Sequence, residues 1–106
     1  MNAQFKKGVL ELCVLSQLAQ GDKYGYQLTE AISKQMSVAA GTLYLVLRRL
    51  NEDNYFETYL VESSEGPARK YYKLTPIGHQ HYQKLKAGWK EFVEQVNELM
   101  KEDHHE

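Results

Sequence analysis

The sequence has one cysteine, Cys13, and only two prolines among its 106 residues. A single cysteine excludes a disulfide framework and any cysteine-based metal site. Cys13 sits in an apolar helical stretch, where a thiol packs as a small inert hydrophobe, and a reducing cytoplasm is the expected compartment. No apolar run approaches the roughly 20 residues needed to cross a bilayer. The opening "MNAQFKKGVLELCVL" has two lysines before an apolar stretch, but Glu11 interrupts it and no small-residue cleavage site follows, so no secretory signal is expected. There is no glycine loop of the kind that cradles phosphates, and no nucleophile–base–orienter set. His79 and His81 are two apart on a predicted helix and face different directions, and His104 and His105 fall in an acidic terminus. Neither an enzyme nor a bound metal or cofactor is expected.

What is present fits one domain with a core of its own. Hydrophobic residues make up 42% and charged residues 25%, ordinary proportions for a globular chain able to fold without staples. The net charge of −1 argues by itself against a nucleic-acid binder, yet the charge is unevenly spread. Residues 90–106 set Lys90 and Lys101 against six carboxylates, a local balance of −4, which leaves +3 for the preceding 89 residues. A basic body with an acidic tail points to separate roles.

Four helices and one strand pair emerge from periodicity. From about Gln4 to Gln20, Phe5, Val9, Leu10, Leu12, Cys13, Val14, Leu15 and Leu18 cover more than half of a helix surface, which marks a helix that is central or shared with a second chain. Gly21 and Asp22 break it. A second helix over about 25–35 aligns Leu28, Ile32 and Met36, and after the short turn "SVAA" a third carries Leu43, Leu47 and Leu50 to about Asp53. "YFETYLVE" and "RKYYKL" read as strands joined by a loop of about six residues, "SSEGPA". Thr75 and Pro76 supply the N-cap and first position of a last helix reaching about residue 102. Two short helices, a tight turn and a two-stranded ribbon make a winged helix-turn-helix, a mainly α, α+β fold, although other small α+β domains share the same order. Residues 1–75 form this domain, and 76–106 the last helix and acidic tail.

The ordered set "YGYQL" at 24–28, "GTLY" at 41–44, "LRRL" at 47–50, "RKYYKLT" at 69–75 and Gly78 resembles the PadR family of bacterial transcriptional regulators, over roughly residues 5–80. The resemblance implies a dimeric winged-helix repressor whose third helix enters the major groove of a pseudo-palindromic operator and whose wing reaches the flanking backbone or minor groove. The short C-terminal part resembles the subfamily with a single long dimerisation helix. Three departures stand out. Leu45 occupies a place where proline is frequent, Asn54-Tyr55-Phe56 replace a glycine followed by aliphatics, and Ala68 stands where a further arginine is common. Asn54 can still supply the left-handed conformation of a helix C-cap.

With Leu43, Leu47 and Leu50 inward, the 100° step leaves Gly41, Thr42, Leu45, Arg48, Arg49 and Glu52 around the outer face of the third helix. Arg48 and Arg49 suit phosphates or a guanine edge, Thr42 a phosphate or a thymine methyl, and Gly41 a close backbone approach. The same charges equally suit a solvated face paired to Glu52 and Asp53. The resemblance adds Tyr44 to the DNA set. On the second strand, alternation groups Arg69, Tyr71 and Lys73 on one face and Lys70, Tyr72 and Leu74 on the other, with Tyr72 as the core tyrosine. Arg69, Lys70 and Lys73 are expected to add salt-dependent affinity, opposed by Glu62 and Glu65. Tyr24 is a further phosphate contact or a core residue.

Tyr82, Leu85, Trp89, Phe92, Val96 and Leu99 are spaced 3, 4, 3, 4, 3, a heptad seam on a helix about 40 Å long. That stripe exceeds what so small a body can cover, and a second copy of the chain is the expected partner, with Leu10 of the first helix completing the interface. In some PadR-like multidrug sensors a tryptophan at the place of Trp89 flanks a ligand pore, so the resemblance makes Trp89, with Phe92, a candidate site for a small aromatic effector; simple interface packing is the competing role. The competing class for the whole chain is a winged-helix protein–protein module without DNA binding, favoured by the net charge and the weakened wing.

Overall fold

The computed structural model describes residues 3–101, with side chains from residue 8 onward. The expectations for Phe5 and for the tail with His104 and His105 fall outside that described set. The elements run α1 (Ala3–Ala19), β1 (Lys23–Tyr24), α2 (Gly25–Ser33), α3 (Ala40–Glu52), β2 (Phe56–Ser63), β3 (Gly66–Leu74) and α4 (Pro76–Leu99). The chain extends over 64 × 28 × 22 Å. No helix of the described residues is long and apolar enough to cross a membrane.

Each boundary has a local cause. Gly21, at φ 149°, adopts a backbone that a side chain would strain, and its N–H donates to the Leu18 carbonyl at 3.2 Å to close α1. Asn54, at φ 61°, turns the chain out of α3 as a left-handed residue, while the Tyr55 N–H reaches back to the Leu50 carbonyl at 3.0 Å. Thr75 caps α4 by accepting from the Gly78 N–H at 3.1 Å, and its hydroxyl donates to the Asn54 carbonyl at 2.7 Å. Gly78 is buried against Tyr55, and a Cβ there would collide with the Tyr55 carbonyl. The end of α3 and the start of α4 are thereby locked together.

Two features differ from the sequence expectation. The sheet has three strands in the order β1-β3-β2, all antiparallel, because Lys23 and Tyr24 pair with Tyr72 and Tyr71. A two-residue strand has no period to detect. The hairpin turn is also tighter than six residues: Ser63 pairs with Gly66, and Pro67 and Ala68 belong to β3. The irregularity between Val61 and Ser63 accommodates Pro67, whose missing N–H is tolerated where the ladder is already interrupted.

The core draws on every layer. Leu10, Val14, Leu15 and Leu18 of α1 meet Leu28 and Ile32 of α2, the stripe Leu43, Val46, Leu47 and Leu50 of α3, and Phe56, Tyr72 and Leu74 of the sheet. Tyr72 is the core tyrosine, edge-on to Phe56 at 5.0 Å. Leu10, expected at the interface between chains, is instead 0% exposed within its own chain. Because the apolar period of α1 cannot distinguish own core from partner, the expectation failed there; the outer side of α1 belongs to Val9 and Leu12. Cys13 is half-buried, and burial raises its thiol pKa above the ordinary value, in keeping with an inert role.

Candidate nucleic-acid interface

The two sides of α3 have opposite fates. Leu43, Val46, Leu47 and Leu50 are buried, whereas Gly41, Thr42, Tyr44, Leu45, Arg48 and Arg49 are exposed, Leu45 to 62%. The helix starts at Ala39 without a side-chain cap, which leaves first-turn N–H groups open to an external acceptor.

The two arginines differ. Arg49 points back to the body, its Nε 3.8 Å from Glu11 Oε2 on α1, and not to Glu52 or Asp53. Glu11 also faces His81 of α4 at 3.9 Å, and the His81 ring lies parallel on Tyr55, centroids 4.1 Å apart. Glu11 thus joins α1, α3 and α4 at one point. Arg48, one residue earlier, makes no ion pair among the described residues. It lines a cleft of about 240 Å³ between α3 and the sheet, together with Tyr44, Asn51, Thr58 and Lys70.

The wing cations divide as alternation requires. Lys70 shares the inner face with Tyr72, its Nζ 5.8 Å from that ring's centroid, and turns toward α3. Arg69 lies on the outer face, 4.7 Å over the Tyr24 ring, and Lys73 pairs across the ladder with Glu57. The structure therefore brings Arg48 and Lys70 together and sets Arg69 and Lys73 on the far side of the sheet. Tyr24 is half-buried in an aromatic patch with Tyr26, Tyr71 and Tyr59. The Tyr59 hydroxyl donates to Asp22 Oδ2 at 2.6 Å, and this hydrogen bond raises the tyrosine's pKa. Burial, and secondarily the charge of Tyr44, raises the pKa of Tyr72.

Sequence reasoning missed Asn51 and Thr58 in the cleft, and the patch formed by Tyr59 and Asp22. Asn51 was within reach, being one turn beyond Arg48 on the same helix. Thr58 needed the strand register, which places it opposite Tyr72.

Along α4, Tyr82 and Leu85 pack against the core, but Trp89, Phe92 and Leu99 are 38%, 44% and 86% exposed. Val9 and Leu12 of α1 join Leu85, Gly88, Trp89 and Phe92 around an open groove of about 600 Å³, with the Trp89 and Phe92 rings 6.2 Å apart.

A three-helix core, an exposed third helix and a β-hairpin beside it define a winged helix-turn-helix protein. The family model described as "Transcriptional regulator PadR-like family" matches residues 14–84. The chain belongs to that family, whose members are DNA-binding transcriptional regulators and not enzymes. It is similar to a PadR-like transcriptional regulator from Bacillus cereus, 36% identical, with 93% of this chain and 98% of that one aligned at a TM-score of 0.83. A PadR-like transcription factor from Bacteroides fragilis is 39% identical over 92% of this chain and 95% of its own, at a TM-score of 0.76. A transcriptional regulator from Mycobacterium tuberculosis is 33% identical over 71% of this chain and 70% of its own length.

Proposed function

We propose that the protein binds a pseudo-palindromic operator as a homodimer and represses transcription from it in the cytoplasm, with release by a small aromatic ligand. The observation that carries the proposal is the division of α3, whose leucines anchor it while Thr42, Leu45 and Arg48 stand exposed, Arg48 sharing a cleft with Lys70 of the wing. In this reading residues 1–75 bind DNA and α4 joins the two copies. Gly41, Thr42, Tyr44 and Arg48 meet the major groove, Arg49 joins them on exchanging Glu11 for DNA, and Lys70 meets the adjoining backbone. Arg69, Lys73 and Tyr24 contribute at the margin. Leu85, Trp89, Phe92, Val96 and Leu99 pair with their counterparts, so that two α3 helices meet half-sites one turn of DNA apart. Repression needs no further machinery where the operator overlaps a promoter, because a bound dimer then blocks the polymerase.

Selection of bound duplexes from a random pool, followed by mobility shift, tests the DNA-binding part. Replacing Arg48 and Arg49 together with alanine is expected to weaken binding and flatten its salt dependence by about 0.9 for each phosphate that is no longer neutralised. Unchanged affinity and slope would reject α3 as the reading element. The tyrosine-rich outer sheet face with Arg69 favours a second reading, a protein-binding module, since tyrosine and arginine are typical interface anchors. A wild-type protein that retains no duplex in the selection would support it. For the ligand, flat aromatic dyes are titrated while Trp89, the sole tryptophan, is followed by fluorescence. Quenching with release of DNA is expected; no quenching and no thermal shift across a panel would remove the effector site.

A further inference from the structure

The inner face of β3 continues past the core. Leu74 and Tyr72 are buried on it, and two residues earlier the same face presents Lys70, whose ladder partner Leu60 is 70% exposed. Where the core stops, α3 and the sheet diverge and leave the cleft of about 240 Å³. Its floor is apolar, and its walls carry Arg48 from α3 and Lys70 from β3, with the hydroxyl of Thr58 and the amide of Asn51 between them. No carboxylate lines it, and neither cation is ion-paired among the described residues, although Arg49 next door is engaged by Glu11. Two unneutralised cations on one small cleft repel each other, and a single anion between them removes that repulsion and satisfies both.

We propose that this cleft clamps one phosphate group of the operator backbone, held jointly by Arg48 and Lys70. The inference rests on the DNA-binding reading and adds to it a shared ligand for the reading helix and the wing. Because one phosphate is gripped from both elements, the clamp fixes the position of the wing relative to α3 on the duplex. Arg69 and Lys73, on the opposite face of the sheet, do not take part.

The test uses a duplex retained by the wild-type protein and four proteins: wild type, Arg48→Gln, Lys70→Gln and the double variant. Affinity is measured against salt. A shared phosphate predicts that the double variant lowers the log–log salt slope by about 0.9 and loses less affinity than the sum of the single changes; two separate phosphates would lower it by about 1.8 with additive losses, and would overturn the clamp. A scan of neutral methylphosphonate linkages supplies a readout that needs no variant to be stable. One linkage is expected to weaken the wild type strongly and leave the double variant unaffected, and the absence of any such linkage contradicts the proposal. Inorganic phosphate added to the DNA-free proteins is expected to leave the thermal midpoints of wild type and double variant equally unmoved. A phosphate-dependent rise confined to the wild type would reassign the cleft to a free phosphorylated ligand. Failure of the wild type to retain any duplex would instead strike at the DNA-binding reading itself.

Discussion

The helices α3 and α4 carry the same kind of apolar stripe and meet opposite fates. In α3, Leu43, Val46, Leu47 and Leu50 are no more than 3% exposed, while along α4 Leu85 and Val96 are only half-buried, Trp89 and Phe92 are exposed, and Leu99 reaches 86%. A helix of 13 residues lies wholly over the body, whereas one of 24 residues, about 36 Å long, runs beyond it. The difference teaches that amphipathic periodicity records what a helix must cover, not whether its own chain can cover it. The α3 stripe is satisfied within the chain, which leaves its other face exposed for the proposed DNA contact. The α4 stripe calls for a second surface.

The sharpest way to break the contrast is to truncate a side chain in each stripe. Leu47→Ala opens a cavity in a filled core and is expected to cost about 2–5 kcal/mol, read as a fall in thermal and denaturant midpoints. Phe92→Asp should leave the helical circular-dichroism signal in place and weaken self-association by about thirtyfold or more, the scale of an interface anchor of about 2 kcal/mol. A monomeric fold lost with Phe92→Asp would mean that α4 stabilises its own chain more than its exposure indicates. Thr75→Ala probes the joint between the two regions. It removes the cap of α4 and the hydroxyl bond to Asn54, with an expected loss of about 1 kcal/mol in denaturant unfolding.

The smallest effect concerns the outer face of the sheet. The pKa of Tyr59 lies above the ordinary 10.0, first because its hydroxyl donates to Asp22. A raised folded-state pKa means stability that is complete below the unfolded value and is lost as pH rises through the folded one. Unfolding midpoints measured upward from neutral should therefore begin to fall only in the alkaline range. Tyr59→Phe should remove that group's part of the decline, with a small loss already at neutral pH, where the wild type still has the bond to Asp22.

Much of this was legible from the residues, for physical reasons that also explain the gaps. Helices α1 to α4 declare themselves by period and by their ends, with Gly21, Asn54 and Thr75–Pro76 acting as punctuation. The two faces of α3 follow from a 100° step, and the split between Lys70 and Arg69 from strand alternation. Strand β1 was invisible because two residues carry no period and their pairing partners are nearly fifty positions away. Leu10 was misplaced because an apolar face looks the same whether its neighbour is the same chain or another. The pairing of Arg49 with Glu11, rather than with its own helix, depends on how α1 crosses α3, which no local pattern encodes. The cleft shared by Arg48 and Lys70 is likewise a product of register and packing, although each cation was individually predicted to meet DNA.

The contrast between the two helices rests on what covers α4. Sedimentation equilibrium of the wild-type chain at micromolar concentration tests this most directly. The account predicts a mass of twice 12.3 kDa, and a mass of 12.3 kDa that persists as concentration rises would contradict it.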